Sequence, residues 1–412
     1  MKVALVYQGC HRRGGVERLV WEAARYLAAH EHEVHIFAGE WDEVTPPTSG
    51  RGSLNYHRVG DGGIGPNAVR WLRFFRNSTS LVQREGFDVL NSHGVFCPLG
   101  GVHWANSVHK AWIDRSDTIH RNPLSIPSLR RRLNPLHKVI IAQERRHFLG
   151  GRGGYQKMIA ASDQVKTDLH TLYQTPTNDI SVVSNGLDPQ TFHPAKRLAQ
   201  RAEARENFGF TRNDTVMLMV ANELDRKGLP VLLAAMRLLR RSDLKLVVAG
   251  RAPYAAYIPR VAAMGLSEQV FFVGSSSDVA GLHAVADFFV LPTQYEAFCL
   301  AILEALGSGL PVVTTTVPGA GDTIQPNHNG LLIKNPLDAD EVAHALQTLL
   351  DDKSLLAHLQ AMAATSVTPY HWDNVFRRYE TILTEQVGQF STSRRPLGPQ
   401  SVTHRSDFEV KQ

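Results

Sequence analysis

Four charged residues are spaced for handling one extended, anionic ligand. Glu296 and Glu304 bracket the opening of the segment EAFCLAILEALGSGLPVV, which is apolar between them apart from Cys299. On a helix, eight residues of separation put the two carboxylates about 12 Å apart and about 80° apart around the axis. They cannot share one proton or one metal ion. They can grip two ends of a ligand whose charged middle lies on the helix N-terminus, where the amides near Phe298, Cys299 and Leu300 would meet phosphate. A nucleotide sugar has that shape: sugar, diphosphate, ribose. A plainer reading makes Glu296 a helix cap and Glu304 a surface residue. Glu304, however, stands among Ala301, Ile302, Leu303 and Ala305, which leaves it little polar face. A buried carboxylate needs partners, and ribose hydroxyls would serve.

Two further loops carry chemistry. In ANELDRKGLPVLL, Arg226 and Lys227 stand together before a glycine and a helix. Paired cations at a helix start oppose the macrodipole, and a diphosphate bound between them would offset the repulsion. The plainer reading is a solvated turn. In QGCHRRGGVER, Gly14 and Gly15 open another helix. Glycines there let backbone amides approach an anion, or simply form a flexible turn. The G-x-G-x-x-G spacing of a nicotinamide dinucleotide site is missing.

The elements that must position these residues alternate. KVALVY, EVHIFA, FDVLN, KMIAAS and ISVVS read as strands, with a helix from about Val16 to Ala29. After NGLDPQTFHP and a charged stretch the rhythm restarts. TVMLMVA, LKLVVAG, VFFVG, DFFVL and PVVTTT read as buried parallel strands, with a helix from Leu229 to about Arg241. The alternation predicts an α/β chain of two doubly wound domains. Residues 1–190 form the first domain and 191–370 the second. A last helix over 371–388 is expected to pack back on the first domain, and TPPTSGRGS reads as a surface loop. Residues 389–412 lack apolar periodicity and are expected to be disordered. Ligands of such sheets bind beyond the carboxyl ends of the strands, which is where the loops named above fall.

Composition narrows the class. The 412 residues are 43% hydrophobic and 20% charged, as in an ordinary globular protein. The net charge of +5 is too mild to imply nucleic acid. Three scattered cysteines, Cys10, Cys97 and Cys299, fit a reducing compartment rather than a disulfide framework. No apolar run is long enough to span a bilayer, and the chain starts directly on a strand pattern. A cytoplasmic enzyme is the expectation, with peripheral association at the inner face of the membrane.

The segment Glu296–Glu304, followed by G-x-P-V-V, resembles the E-x7-E signature of retaining glycosyltransferases of family four, which have the GT-B fold: two Rossmann-like domains facing a central cleft. GGVERLVWEAARYLAAHEHEVHIFAG, RKGLPVLLAAM and VVSNGLDPQTFHP resemble other segments of that family in the expected order. The resemblance spans about Lys2 to Val387 and is nearest to bacterial lipopolysaccharide-core glucosyltransferases. It implies that Glu296 contacts sugar hydroxyls, Glu304 the ribose, and Arg226 and Lys227 the diphosphate. Gly14 and Gly15 would close over phosphate or acceptor. It also implies a histidine at the end of a first-domain strand that touches the transferring sugar. His103 in GGVHWANS fits best by order, and His93 in NSHGVF competes because it too follows a strand. Many relatives carry an arginine shortly before the RKG turn, where this chain has Asn222, Glu223, Leu224 and Asp225.

The activity so implied is transfer of a hexose from a UDP- or GDP-sugar to a hydroxyl of a lipid- or polysaccharide-linked acceptor, with retention and without metal or cofactor. From Arg121 to Lys157 the chain carries nine Lys or Arg and one acidic residue, Glu144. Mixed with apolar residues, they fit an anionic membrane or lipid acceptor better than RNA, because aromatic interleaving is sparse. The rival readings are a same-fold epimerase or phosphorylase, and a non-catalytic subunit that binds the sugar nucleotide.

Overall fold

A computed structural model describes residues 1–12, 14–43, 52–63, 65–119, 134–149, 154–276 and 278–387. The expectation of disorder over 389–412 therefore lies outside the described residues, as do residues 45–51 of the expected surface loop and much of the basic stretch.

Two parallel sheets organise the chain. The first contains β1 (Lys2–Val6), β2 (Glu33–Ala38), β3 (Ser53–Arg58), β4 (Val89–His93), β5 (Val102–Ala105), β6 (Lys157–Ala160) and β7 (Ile180–Val182). Their order across the sheet is β3-β2-β1-β4-β5-β6-β7. The second contains β8 (Thr215–Val220), β9 (Leu244–Ala249), β10 (Val270–Gly274), β11 (Phe288–Leu291), β12 (Val312–Thr315) and β13 (Gly330–Ile333), in the order β10-β9-β8-β11-β12-β13. Strand order reverses between β1 and β4 in one sheet and between β8 and β11 in the other. Both are doubly wound, and both open a crevice at the reversal.

The apolar strand runs show why these segments pair. Val3 lies between Val34 and Val89, and Met217 between Leu246 and Phe288, so both faces of the central strands are buried. β3 (SLNYHR) and β13 (GLLI) are half-covered edge strands and are absent from the sequence reading. β5 (VHWA), present there only as the strand before His103, interrupts its apolar run with a histidine.

Helices flank both sheets. In the first half they are α1 (Val16–Ala29), α2 (Asn67–Val82), α3 (His109–Ile119), α4 (Pro135–Phe148) and α5 (Asp163–Tyr173). The second half has α6 (Pro194–Asn207), α7 (Leu229–Leu239), α8 (Ile258–Ala263), α9 (Val279–Val285), α10 (Leu300–Gly307), α11 (Ala339–Asp351) and α12 (Lys353–Ser366). The final helix, α13 (Trp372–Glu385), buries Trp372, Val375, Phe376, Tyr379, Ile382 and Leu383 in the core built by α1 and the first sheet. Each such large side chain contributes roughly 1.5–3 kcal/mol.

The chain crosses between the halves twice, and the crossings run side by side. Leu187 N–H donates to Tyr370 O at 2.9 Å, and Trp372 N–H donates to Leu187 O at 3.2 Å. A side chain at Gly186 would collide with the Trp372 ring, so only glycine lets the two segments touch.

One buried polar contact ties α13 to the sheet: Tyr379 Oη–H donates to Asn91 Oδ1 at 2.9 Å. Tyr379→Phe removes the donor and strands a buried acceptor. The expected loss is about 1–2 kcal/mol, read as a lower urea midpoint at unchanged slope.

Candidate functional site

The loops after β8 and β11 meet where the second sheet reverses. Gln294 N–H donates to Arg226 O at 3.0 Å, and Gln294 Nε2 donates to Asp225 O at 3.0 Å. Gly228, at φ 88°, caps α7, and a Cβ there would strike the Pro292 carbonyl oxygen. The glycine of the R-K-G turn is therefore needed twice, for its left-handed backbone and for the closeness of the two loops.

This closeness brings Arg226, Lys227 and Glu296 together. Lys227 Nζ pairs with Glu296 Oε1, and Arg226 Nη1 lies 3.3 Å from the same oxygen. Thr293 Oγ1 donates to that oxygen at 2.9 Å. Arg226 also donates to Tyr295 O and pairs through Nε with Glu223 at 2.8 Å. Burial works against the Arg226 charge, but Glu296 and Glu223 outweigh it and its pKa is raised. In the protein alone, then, acids rather than a diphosphate offset the two cations.

Glu304 is the fifth residue of α10, about one turn in. The sequence implied ribose as its partner; here its partner is Arg18 of α1, Nη1 to Oε1 3.1 Å, across the crevice. Burial pushes the Glu304 carboxyl up to about 7, with Arg18 pulling the other way. Arg18 was missed in the sequence, although it follows the glycine loop by one helical turn.

The helix N-terminus between the acids is only partly open. Cys299 is its N-cap, but the Cys299 amide donates to Gly319 O at 3.0 Å. Cys299 is thereby removed from the amides expected to meet phosphate. The first amides of a helix have no partner within it, so Leu300 and Ala301 carry that capacity, beside Phe298. Gly15 lies against this end, because a Cβ there would sit 3.7 Å from Leu300 Cδ1. Gly14, at φ 93°, makes the turn that brings the loop over.

The first domain grips the rest of the segment too. Arg115 stacks over Tyr295 at 5.0 Å while held by Asp168 at 2.8 Å. Ser162 Oγ–H donates to Ala297 O at 2.6 Å. Between α3 and the loop after β8 lies a cavity of about 390 Å³, lined by Trp112, Asn222, Asp225, Arg226, Tyr257 and Gln294 among others.

The structure reverses the order of the two histidines. His103 is the second residue of β5 and not its end. It is 1% exposed, bonds Ser92 Oγ through Nδ1 at 2.9 Å, and packs on His147 and Phe148 of α4. That places it behind the sheet, in the layer under a helix. His93 ends β4, at the reversal of the first sheet. It stacks on Trp104, meets the edge of Tyr7, and borders a cavity of about 110 Å³ with Gln8, Gly94 and Trp71. Neither of its ring nitrogens has a partner among the described residues. Burial lowers its pKa to about 3, so it is neutral at pH 7 and can offer one donor and one acceptor, but no charge. His93→Ala is expected to lower turnover about 10-fold or more at unchanged melting temperature, for loss of one positioned hydrogen bond. His103→Ala should chiefly lower the melting temperature.

Comparison with known proteins gives the family and the fold. The family described as Glycosyltransferase Family 4 matches residues 13–191, and the family described as Glycosyl transferases group 1 matches residues 200–365. The lipopolysaccharide glucosyltransferase WaaG of Escherichia coli K12 is 26% identical over 347 residues, covering 83% of this chain and 87% of WaaG. The crystal structure of WaaG, a glycosyltransferase involved in lipopolysaccharide biosynthesis, superposes with a TM-score of 0.75 at 21% identity over 93% of this chain and 99% of that one. Anabaena HepE in complex with UDP-glucose superposes with a TM-score of 0.64 at 16% identity, over 93% and 100%.

Proposed function

Because the chain belongs to the GT-B glycosyltransferases that join a Family 4 domain to a group 1 domain, we propose that it moves a hexose from a nucleoside-diphosphate sugar to a hydroxyl of a glycan- or lipid-linked acceptor. The observation that carries the reading is the meeting of Arg226, Lys227 and Glu296 at the reversal of the second sheet, beside the N-terminus of α10. Breaking the anomeric bond builds negative charge on the departing diphosphate. Two cations and a helix N-terminus fixed in advance stabilise that charge where it develops. Glu296 holds both cations in place and is released to sugar hydroxyls as the diphosphate takes over the pairing. Glu304, freed from Arg18, accepts from the ribose.

Transfer with retention follows if the acceptor attacks from the face the diphosphate leaves, with a phosphate oxygen taking its proton. Glu296, in the loop before α10, is held by Lys227 and Arg226, and Glu304, within α10, by Arg18, so the two do not form the facing pair of a retaining hydrolase, which supports this route over a covalent one. The contacts from Arg18 to Arg115 exclude water from the crevice and so limit hydrolysis. The structure of HepE with UDP-glucose supports the donor class, and the name of WaaG supports an envelope glycan as acceptor.

Membrane contact by α4 extends the reading. Lys138, Arg145 and Arg146 are exposed there, and Val139, Ile140 and Ile141 are only partly covered, which suits an anionic lipid surface. Among the described residues no helix is long and apolar enough to cross a membrane.

The test is a panel of nucleotide sugars screened for thermal stabilisation, followed by assay of the stabilising one for release of free nucleoside diphosphate with and without a lipid-linked glycan. Binding without any such release would make the chain a binding subunit. Conversion of the donor without acceptor would make it an epimerase.

A further inference from the structure

Away from the crevice, the first sheet carries a second cluster of ligand-bearing side chains. His35 lies on β2, His57 on β3, and Glu85 in the turn after α2. Their ligand atoms fall within 4.8 Å of one another, the one group of this kind among the described residues. His35 Nδ1 is 2.8 Å from His57 Nε2 and 3.5 Å from Glu85 Oε2.

The surroundings orient these atoms. On the far side of its ring, His35 Nε2 lies 2.8 Å from Glu33 Oε1. A carboxylate there accepts from Nε2–H and leaves the Nδ1 lone pair turned toward His57 and Glu85. Metal-bound imidazoles are held by a carboxylate in the same way. Phe37 stacks on His57 at 4.3 Å, and the Phe87 ring meets His35 edge-on at 5.1 Å, so neither imidazole turns freely. His35 is buried, while the Glu85 side chain is 37% exposed and leaves an entry from solvent.

We propose that His35, His57 and Glu85 bind one divalent transition-metal ion of the zinc class. Two imidazole nitrogens and one carboxylate oxygen leave a fourth tetrahedral position for water. Metal–ligand bonds of about 2.0–2.1 Å set tetrahedral ligands about 3.3 Å apart. The two separations above lie either side of that value and His57 Nδ1 lies 4.0 Å from Glu85 Oε1, so binding needs Glu85 and His57 to draw together by about one ångström. Magnesium and calcium prefer all-oxygen shells and do not suit two imidazoles. Lys2 Nζ lies 3.4 Å from Glu85 Oε2 and would swing outward on its flexible stem. The cluster joins the edge strand β3 to β2 and to the turn after α2, at the sheet edge rather than at the reversal between β1 and β4. Its metal fastens the sheet edge and leaves glycosyl transfer alone.

The experiment uses untagged full-length protein stripped with chelator and titrated with zinc chloride in a calorimeter, with magnesium chloride as control. Cobalt(II) serves as a spectroscopic probe. Expected are one saturable zinc site per chain, a raised melting temperature, no magnesium response, and visible bands of tetrahedral cobalt. Glu85→Gln, at the exposed ligand, and Glu33→Gln, which only orients His35, should each weaken zinc binding about 10–100-fold. His57→Ala should abolish the cobalt bands, with circular dichroism checking its fold. No saturable site, or a site unchanged in Glu85→Gln and Glu33→Gln, overturns the proposal.

Discussion

Lys227→Ala is expected to lower kcat about 10²–10³-fold, the usual loss when one fixed donor to a developing oxyanion is removed, with a much smaller change in KM for the donor. The reason is electrostatic. In the protein alone the Lys227 ammonium meets Glu296. When the anomeric bond breaks, charge appears on the diphosphate, and the ammonium gains more from that charge than from the intact donor, so its contribution falls on the transition state. Arg226 remains in the variant and still neutralises Glu296, so the loops keep their positions. The measurement is release of nucleoside diphosphate at saturating donor. Wild-type kcat in Lys227→Ala removes the leaving-group role.

Glu304→Ala is expected to weaken donor binding about 10–100-fold, the range for hydrogen bonds to a charged group. The same carboxylate gives a pH signature. Its folded pKa, raised to about 7 mainly by burial, exceeds the unfolded value of about 4.3. Its contribution to stability is therefore fully present below the unfolded value and is lost as pH rises through about 7. Ribose hydroxyls donate more strongly to the ionised form, so donor affinity should rise between pH 6 and pH 8. A diphosphate diester keeps its charge throughout that window and adds no titration of its own. Glu304→Gln should flatten the profile when affinity is followed by calorimetry. A profile as steep in the glutamine variant as in the wild type assigns the titration to another group.

The strands that build both crevices were legible wherever burial on both faces made a strand continuously apolar, as in VALV and FFVL. Polar edges defeat that signal, which hid SLNYHR. Glu296, Arg226 and Lys227 could be read as one constellation because each follows a strongly apolar strand, and the fold rule sends such loops to one place. Partners contributed by the opposite domain were not legible. Nothing local in VERLV tells that Arg18 faces Glu304, and nothing in DRSD tells that Arg115 covers Tyr295. The histidines show the same limit: one residue of register separates the face shared with Trp104 from the face turned to α4, and chain order alone does not fix register.

The side-by-side crossings at Leu187 and His371 have a consequence for turnover. One tether would let the lobes swivel about any direction. Two tethers bonded to each other leave a single line of rotation, like adjacent pins of one door. Hinge residues of this sort absorb the whole change in backbone angle. The Arg18–Glu304, Gly15–Leu300, Ser162–Ala297 and Arg115–Tyr295 contacts must then part in one stroke, because no lateral twist can undo them in sequence. A nucleotide bound there as proposed would not peel away from one end while the other stays clasped, and its departure would coincide with the swing of the door.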